Sequence, residues 1–152
     1  MIGLDINLKN ASDRFIYKIF DGIDLSKYTW EIYSDFIMYT KDGVDYERLF
    51  GCDVLDGENF LKCISEDSYY MIFADIKAYP VGSNRVDIET YNDYINSECE
   101  IVFLCSDSTF VEFYSKDMQI LEKVHKNCVR YKFEKAEFFT EEDDQRTVMH
   151  VE

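Results

Sequence analysis

The alternation of apolar and polar residues predicts several strands. From Ile2 to Leu8 every second residue is apolar, which is the period-two pattern of a strand with one buried face. Two runs, Tyr69 to Ala74 and Ile101 to Cys105, are instead almost wholly apolar, so we expect interior strands covered on both faces. The segment from Val129 to Phe133 alternates again and predicts a further strand.

Aromatic and β-branched residues are concentrated between Tyr28 and Thr40. The polar pair Ser34 and Asp35 interrupts this stretch, which predicts two strands joined as a hairpin. A second turn is expected at Lys41-Asp42-Gly43. The region from Val44 to Gly57 has the weakest periodicity and is predicted to be a loop.

Apolar residues recur at helical spacing in four segments. Three of these segments carry N-terminal signals, because Ser12 can cap the first helix, Asp56 can cap the second, and Thr90 with Asp93 forms a capping box ahead of the third. The four predicted helices contain Phe15 to Phe20, Phe60 to Ile64, Tyr91 to Ile95 and Lys116 to Asn127.

These elements predict an α+β fold with a mostly antiparallel, twisted sheet and helices packed on one face. Between Tyr69 and Phe139 the order is strand, helix, strand, strand, helix, strand, which is the order of a ferredoxin-like unit. Element order does not fix strand order, so a ferredoxin-like C-terminal half is a hypothesis. No linker or repeat divides the chain, and residues 1–152 are predicted to form a single domain.

Composition narrows the classes of partner. Asp and Glu total 31 against 16 Lys and Arg, giving a formal net charge of -15. A field of this sign repels nucleic acid and anionic membranes and attracts basic proteins.

Five cysteines without CxxC spacing predict reduced, mostly buried thiols in a monomer. The sequence has no signal-peptide pattern and no apolar run of membrane-spanning length, so we expect a cytoplasmic protein.

No catalytic, cofactor-binding or metal-binding residue is predicted. The six glycines fit neither GxxxxGK[ST] nor GxGxxG, the patterns that cradle phosphates. His125 and Cys128 are three residues apart, a spacing that can join an imidazole and a thiol on a helix. The stronger interpretation is structural, since the C-terminal end of a helix favours a histidine through the helix dipole.

Charge patterning is the most distinctive feature of the second half. Between Val86 and Ser115 there are seven acids and no lysine or arginine. They are Asp87, Glu89, Asp93, Glu98, Glu100, Asp107 and Glu112. A four-acid run follows at Glu141, Glu142, Asp143 and Asp144. Such runs are most often solvated loops, but in a binding protein they attract Lys and Arg, so all eleven residues are predicted to contact a basic partner.

Several stretches from Tyr69 onward carry a resemblance to a known family. They include YYMIFADIKAYP from Tyr69 to Pro80 and ECEIVFL from Glu98 to Leu104, and they continue through Asp107-Ser108-Thr109 and Tyr114-Ser115-Lys116-Asp117 to the acidic segment before Arg146-Thr147. These stretches resemble a bacterial family, domain of unknown function 2691. The resemblance implies a small bacterial cytosolic protein, and it assigns no activity and no catalytic residue.

Two functional hypotheses remain. The first is a non-catalytic binding module that occludes a basic protein partner, as immunity proteins occlude nuclease toxins. The second is an enzyme or small-ligand sensor with a pocket of tyrosines and carboxylates, which primary spacing cannot reveal. A deep pocket with convergent polar groups would favour the second hypothesis.

Overall fold

A computed structural model describes residues 1–143 and 148–151 of the chain. Its strands are β1 (Gly3–Asn7), β2 (Tyr28–Lys41), β3 (Val44–Tyr46), β4 (Val54–Asp56), β5 (Tyr70–Pro80), β6 (Ile101–Ser106), β7 (Phe110–Ser115) and β8 (Lys135–Phe139). Its helices are α1 (Phe15–Ile19), α2 (Gly57–Ile64), α3 (Tyr91–Asn96) and α4 (Met118–Arg130), with a single 3-10 turn at Leu25–Lys27.

The eight strands form one open sheet in the order β3-β2-β5-β6-β7-β1-β8, with β4 also paired to β2. All of these pairs are antiparallel, so the predicted α+β fold with an antiparallel sheet is confirmed. The ferredoxin-like arrangement is wrong. A split βαβ unit needs parallel strands, whereas β5, β6 and β7 are consecutive antiparallel neighbours and β1 separates β7 from β8.

The predicted hairpin between Tyr28 and Thr40 is also wrong, because β2 is one strand of 14 residues. Its pairing with β5 shifts register between Ile32 and Ser34, which marks a bulge. Asp35 is buried beside this bulge, and its carboxylate accepts the backbone N–H of Leu49 at 2.8 Å and that of Phe50 at 3.3 Å. Asp35 therefore binds the chain at Leu49 and Phe50 instead of forming a turn.

The larger core lies between one face of the sheet and the helices α1, α2 and α4. Trp30 of β2 stacks on Phe60 of α2 with ring centroids 4.0 Å apart, and both side chains are fully buried. The indole N–H of Trp30 donates to the carbonyl of Leu25 at 3.1 Å, so its polar atom is satisfied inside the core. These three helices pack on the same face of the sheet, as predicted.

The opposite face carries a second, smaller core, and α3 packs there through the buried side chain of Tyr94. Adjacent residues of β6 contribute to different cores, because successive side chains of a strand point to opposite faces of the sheet. Phe103 belongs to the larger core and Leu104 to the smaller one. Met149 is also fully buried in the smaller core. The prediction of helices on one face therefore holds for α1, α2 and α4 but not for α3.

The strand predicted from Val129 to Phe133 is wrong, since α4 continues to Arg130. Val124 and Cys128, four residues apart, are both buried on the helix side that faces the sheet, whereas Val129 is 63% exposed. The alternating apolar residues from Val129 to Phe133 therefore belong to the end of α4 and the turn that follows it, not to a strand. The last strand, β8, begins only at Lys135.

Candidate functional site

Four of the predicted acids lie in the connection between β5 and β6. Asp87, Glu89, Asp93 and Glu98 are all exposed, and α3 lies in the middle of this connection. We call residues 84–98 the acidic segment. Asp87, Asp93 and Glu98 line one shallow depression of about 250 Å³.

Carboxylates also hold the acidic segment in shape. Thr90 caps α3 by accepting the N–H of Asp93 at 3.1 Å, and the Asp93 carboxylate accepts the N–H groups of Thr90 at 3.0 Å and Glu89 at 3.1 Å. Hydrogen bonds from the Thr90 and Glu89 amides, followed by the Thr90 hydroxyl, lower the pKa of Asp93 below its ordinary value. Glu98 accepts the N–H of Asn84 at 2.8 Å, which ties the two ends of the segment together.

The other acids between Val86 and Ser115 lie elsewhere. Asp107 is at the tip of the β6–β7 hairpin with φ 52°, at the opposite end of β6 from Glu98, a separation of about 20 Å along a strand of this length. Glu112 is half-buried on the sheet face, where it accepts the hydroxyl of Tyr114 at 3.3 Å. Glu100 is half-buried immediately before β6. The linear cluster therefore forms no continuous surface.

The acidic run near the C-terminal end follows β8. Glu141, Glu142 and Asp143 are exposed in a turn, and the Asp143 carboxylate accepts the hydroxyl of Thr140 at 3.0 Å. This turn leaves the sheet at the end where β6 begins, because Phe139 pairs with Gly3, which in turn pairs with Tyr114. Asp144, predicted with them, lies outside the described residues.

A buried ion pair lies on the sheet face that α3 covers. The Lys77 ammonium is 2.6 Å from the Asp75 carboxylate, and the two side chains are 0% and 2% exposed. The same ammonium lies 4.3 Å from the ring centre of Tyr33, and Asp75 also accepts the N–H of Val151 at 3.1 Å. The pair is not among the predicted site residues, although two charges at period two in a nearly apolar strand are a visible signal in the sequence.

An open groove of about 980 Å³ lies beside the edge strand β3. Tyr39 and Tyr46 stack there with ring centroids 4.9 Å apart, and Tyr70 and Asp45 also line the groove. Arg48, another lining residue, donates to the buried Asp35 carboxylate at 3.0 Å, which fixes its guanidinium at the groove wall. Tyrosines and carboxylates therefore line one place, although it is an open groove and not the deep pocket that would favour the second hypothesis.

Cys128 and His125, which are three residues apart in the sequence, both lie in packed surroundings. Burial raises the pKa of Cys128 to about 12, so its thiol stays protonated at neutral pH. His125 stacks on Phe138 with ring centroids 4.6 Å apart, which gives it a packing role.

Within residues 1–143 and 148–151, no group of three His, Cys, Asp or Glu could hold a metal ion. The helices of this same part of the chain include none long and apolar enough to cross a bilayer.

The fold and surface define an acidic α+β protein built on an open antiparallel sheet with a core on each face. The chain belongs to the family described as "Protein of unknown function (DUF2691)", whose sequence profile matches residues 1–150, and this confirms the resemblance seen in the sequence. It is also similar to a protein of Bacillus subtilis strain 168 named "Uncharacterized protein YncE", with 29% identity over 150 residues that cover 98% of each chain. No solved structure matches the chain.

Proposed function

We propose that the protein is a non-catalytic, monomeric binding module that occludes a basic protein partner, in the manner of an immunity protein and its toxin. The observation that carries this proposal is the acidic segment. Its four exposed carboxylates, at Asp87, Glu89, Asp93 and Glu98, lie within twelve consecutive residues that contain no lysine or arginine.

The electrostatic field supports fast association with a cation. The field of a net charge of -15 reaches beyond any one site on the surface. At low ionic strength such a field raises the rate of encounter with a basic protein by about 10- to 1000-fold. At physiological salt the long-range attraction is screened beyond about 8 Å. At physiological salt, therefore, only the acids closest to the partner attract it. This favours a binding site made of a compact set of acids, such as the acidic segment.

The acidic segment is also rigid enough to bind without a large ordering cost. Tyr94 anchors α3 in the smaller core with 1% exposure, and its hydroxyl donates to the carbonyl of Glu100 at 3.1 Å. The capping box and the Glu98–Asn84 hydrogen bond fix the rest of the segment. A preorganised surface loses less conformational entropy when a partner binds.

The test begins with capture of partners from the native host at low and high salt, identified by mass spectrometry. Association rates for the captured protein are then compared between wild type and the triple variant Asp87→Asn, Glu89→Gln and Glu98→Gln. We expect an association rate at least tenfold slower at low salt and a flatter salt dependence, with an unchanged unfolding midpoint.

A matched control removes three exposed acids outside the acidic segment, through Asp42→Asn, Asp53→Asn and Asp67→Asn. This variant has the same net charge as the first. If both triple variants slow association equally, only net charge matters and the proposed site is wrong. If neither variant changes the rate, the proposal fails.

A second candidate function is favoured by the groove beside β3. Its stacked pair, Tyr39 and Tyr46, offers flat aromatic surface, and Asp45 and Arg48 offer polar groups to orient a small ligand. Binding of a small-molecule library can be followed by chemical shifts of the Tyr46 and Tyr70 amides. A ligand that shifts these amides, and whose affinity falls at least tenfold in Tyr46→Ala, would support a sensor; a library without such a ligand would count against it.

A further inference from the structure

A second concavity lies between the end of α1, the 3-10 turn and α2, with a volume of about 440 Å³. Its floor is apolar, because Phe20, Leu25 and Ile64 are buried there. Tyr17 and Leu61 line it as well, and Leu61 is 43% exposed. This volume is within the range of about 300–1,000 Å³ that is typical of ligand pockets. We call it the α1–α2 groove.

The rim of the α1–α2 groove is acidic. Asp24 and Glu58 line it, and so does Asp21, whose carboxylate already lies 3.2 Å from the Arg130 guanidinium and accepts the Tyr131 hydroxyl. None of the described lining residues is a lysine or an arginine, although the Lys123 side chain packs against Gly22. The hydroxyl and the N–H of Ser26 donate to Asp24 at 2.5 and 3.1 Å and lower its pKa, so this carboxylate is ionised at neutral pH. An occupant must therefore combine an apolar part with positive charge.

The walls of the groove are held at a fixed separation. Gly57 opens α2 directly against the 3-10 turn, where a Cβ would overlap the carbonyl of Leu25. On the other wall the chain turns at Gly22 with φ 81°, and Asn127 of α4 donates to the carbonyls of Ile19 at 2.9 Å and Asp21 at 2.8 Å. The groove is therefore formed before any ligand arrives.

We propose that the α1–α2 groove binds a cationic amphipathic segment of the partner, with an apolar side chain on its floor and a flanking Lys or Arg at its rim. This inference rests on the proposed function, because it takes the partner to be basic. Apolar area removed from water supplies the affinity, and the acidic rim selects for cations over anions.

The groove and the acidic segment face opposite sides of the sheet, since α1 and α2 cover the larger core and α3 the smaller one. They approach each other at one end of the sheet, where the N–H of Val81 donates to the carbonyl of Lys27 at 3.1 Å. A partner whose folded body contacts the acidic segment can reach the groove only with an extended or helical segment that passes around this end. The groove thus implies a protruding segment on the partner.

The test uses three designed 18-residue peptides as probes. One has Leu and Lys at amphipathic helical spacing, one replaces every Leu with Ser, and one replaces every Lys with Glu. Affinities are measured by fluorescence anisotropy and sites by amide chemical shifts. We expect the Leu/Lys peptide to shift the amides of Tyr17, Ile23 and Leu61 and to bind at least tenfold more tightly than the other two peptides.

The groove variant combines Asp24→Asn, Glu58→Gln and Leu61→Ala, and the matched control combines Asp42→Asn, Asp67→Asn and Val129→Ala at exposed positions. The groove variant should weaken the Leu/Lys peptide at least tenfold and the control less than threefold. Equal affinity of the Leu/Glu peptide, or unchanged affinity of the groove variant, overturns the inference.

Failure of the groove inference differs from failure of the proposed function. If cationic peptides shift only amides of the acidic segment, and only the Asp87, Glu89 and Glu98 substitutions weaken them, the groove inference falls and the proposed function stands. If no cationic peptide binds at any site at low salt, both fall.

Discussion

The buried pair of Asp75 and Lys77 gives the sharpest prediction about stability. Lys77→Met keeps most of the side-chain length but leaves the Asp75 carboxylate, 2% exposed, without its cation. Asp75→Asn keeps an acceptor for the Val151 N–H but leaves the fully buried ammonium without its anion. Each single change should lower the free energy of unfolding by about 3–5 kcal/mol, the usual cost of an uncompensated buried charge.

The double variant should lose much less than both single losses together. When both charges are removed, no ion is left in the low-dielectric interior, and replacing a buried pair with uncharged groups is often nearly neutral. We expect the double variant to lose no more than either single variant, which corresponds to a coupling energy of at least about 3 kcal/mol between the two positions, measured from urea unfolding midpoints at equal denaturant slope.

An exposed pair with the same spacing along a strand provides the control. Lys135 and Glu137 of β8 are 3.5 Å apart, and their side chains are 47% and 71% exposed. Lys135→Met and Glu137→Gln should each cost less than about 1 kcal/mol, because solvent screens the pair. Additive losses at Asp75 and Lys77, or single losses as small as those of the control, would refute the reasoning.

Three further predictions concern packing. Gly57→Ala should destabilise the protein by more than about 1 kcal/mol in urea unfolding although alanine favours helices, because the new Cβ meets the Leu25 backbone, whereas Gly51→Ala, with open space around it, should be nearly neutral. Phe103→Ala should cost about 3–5 kcal/mol in the same assay, since Phe103 is 0% exposed. Thiol labelling at pH 8 should modify Cys52 quickly and leave unreacted the three thiols whose pKa burial raises to about 12, those of Cys99, Cys105 and Cys128.

Features that depend on nearby residues were predictable from the sequence. The capping box of Thr90 and Asp93 and the cap of Asp56 on α2 are both present as predicted, because these hydrogen bonds form within four residues. The predicted Ser12 cap is wrong, since the N-cap residue of α1 is Arg14. The turn at Asp42-Gly43 is also present, with φ 51° and 77°. In contrast, Ser34 and Asp35 have the composition of a turn, yet the buried Asp35 carboxylate bonds to Leu49 and Phe50, which the sequence gives no means of pairing with it.

Strand order depended on long-range packing that no local pattern specifies. In the sheet, β1 lies between β7 and β8 and pairs with both. Its alternating residues Leu4 and Ile6 are buried in the larger core. Any half-buried strand of similar length has the same pattern, so the sequence could not distinguish this insertion from a ferredoxin-like neighbour. The groove at α1 and α2 was equally invisible, because it arises from the contact of Gly57 with Leu25, 32 positions earlier.

The acidic residues show how a strand separates charges that are close in sequence. Along the acidic segment the chain turns back on itself, so Asp87, Asp93 and Glu98 line one depression, but β6 then carries Asp107 about 20 Å away. The screening length is about 30 Å at 0.01 M salt and about 8 Å at 0.15 M. At low salt a cation therefore experiences all of these charges, whereas at physiological salt it experiences only the nearest ones. A partner bound at the acidic segment should consequently respond to Asp107→Asn at 0.01 M salt and not at 0.15 M, while Glu98→Gln weakens it at both.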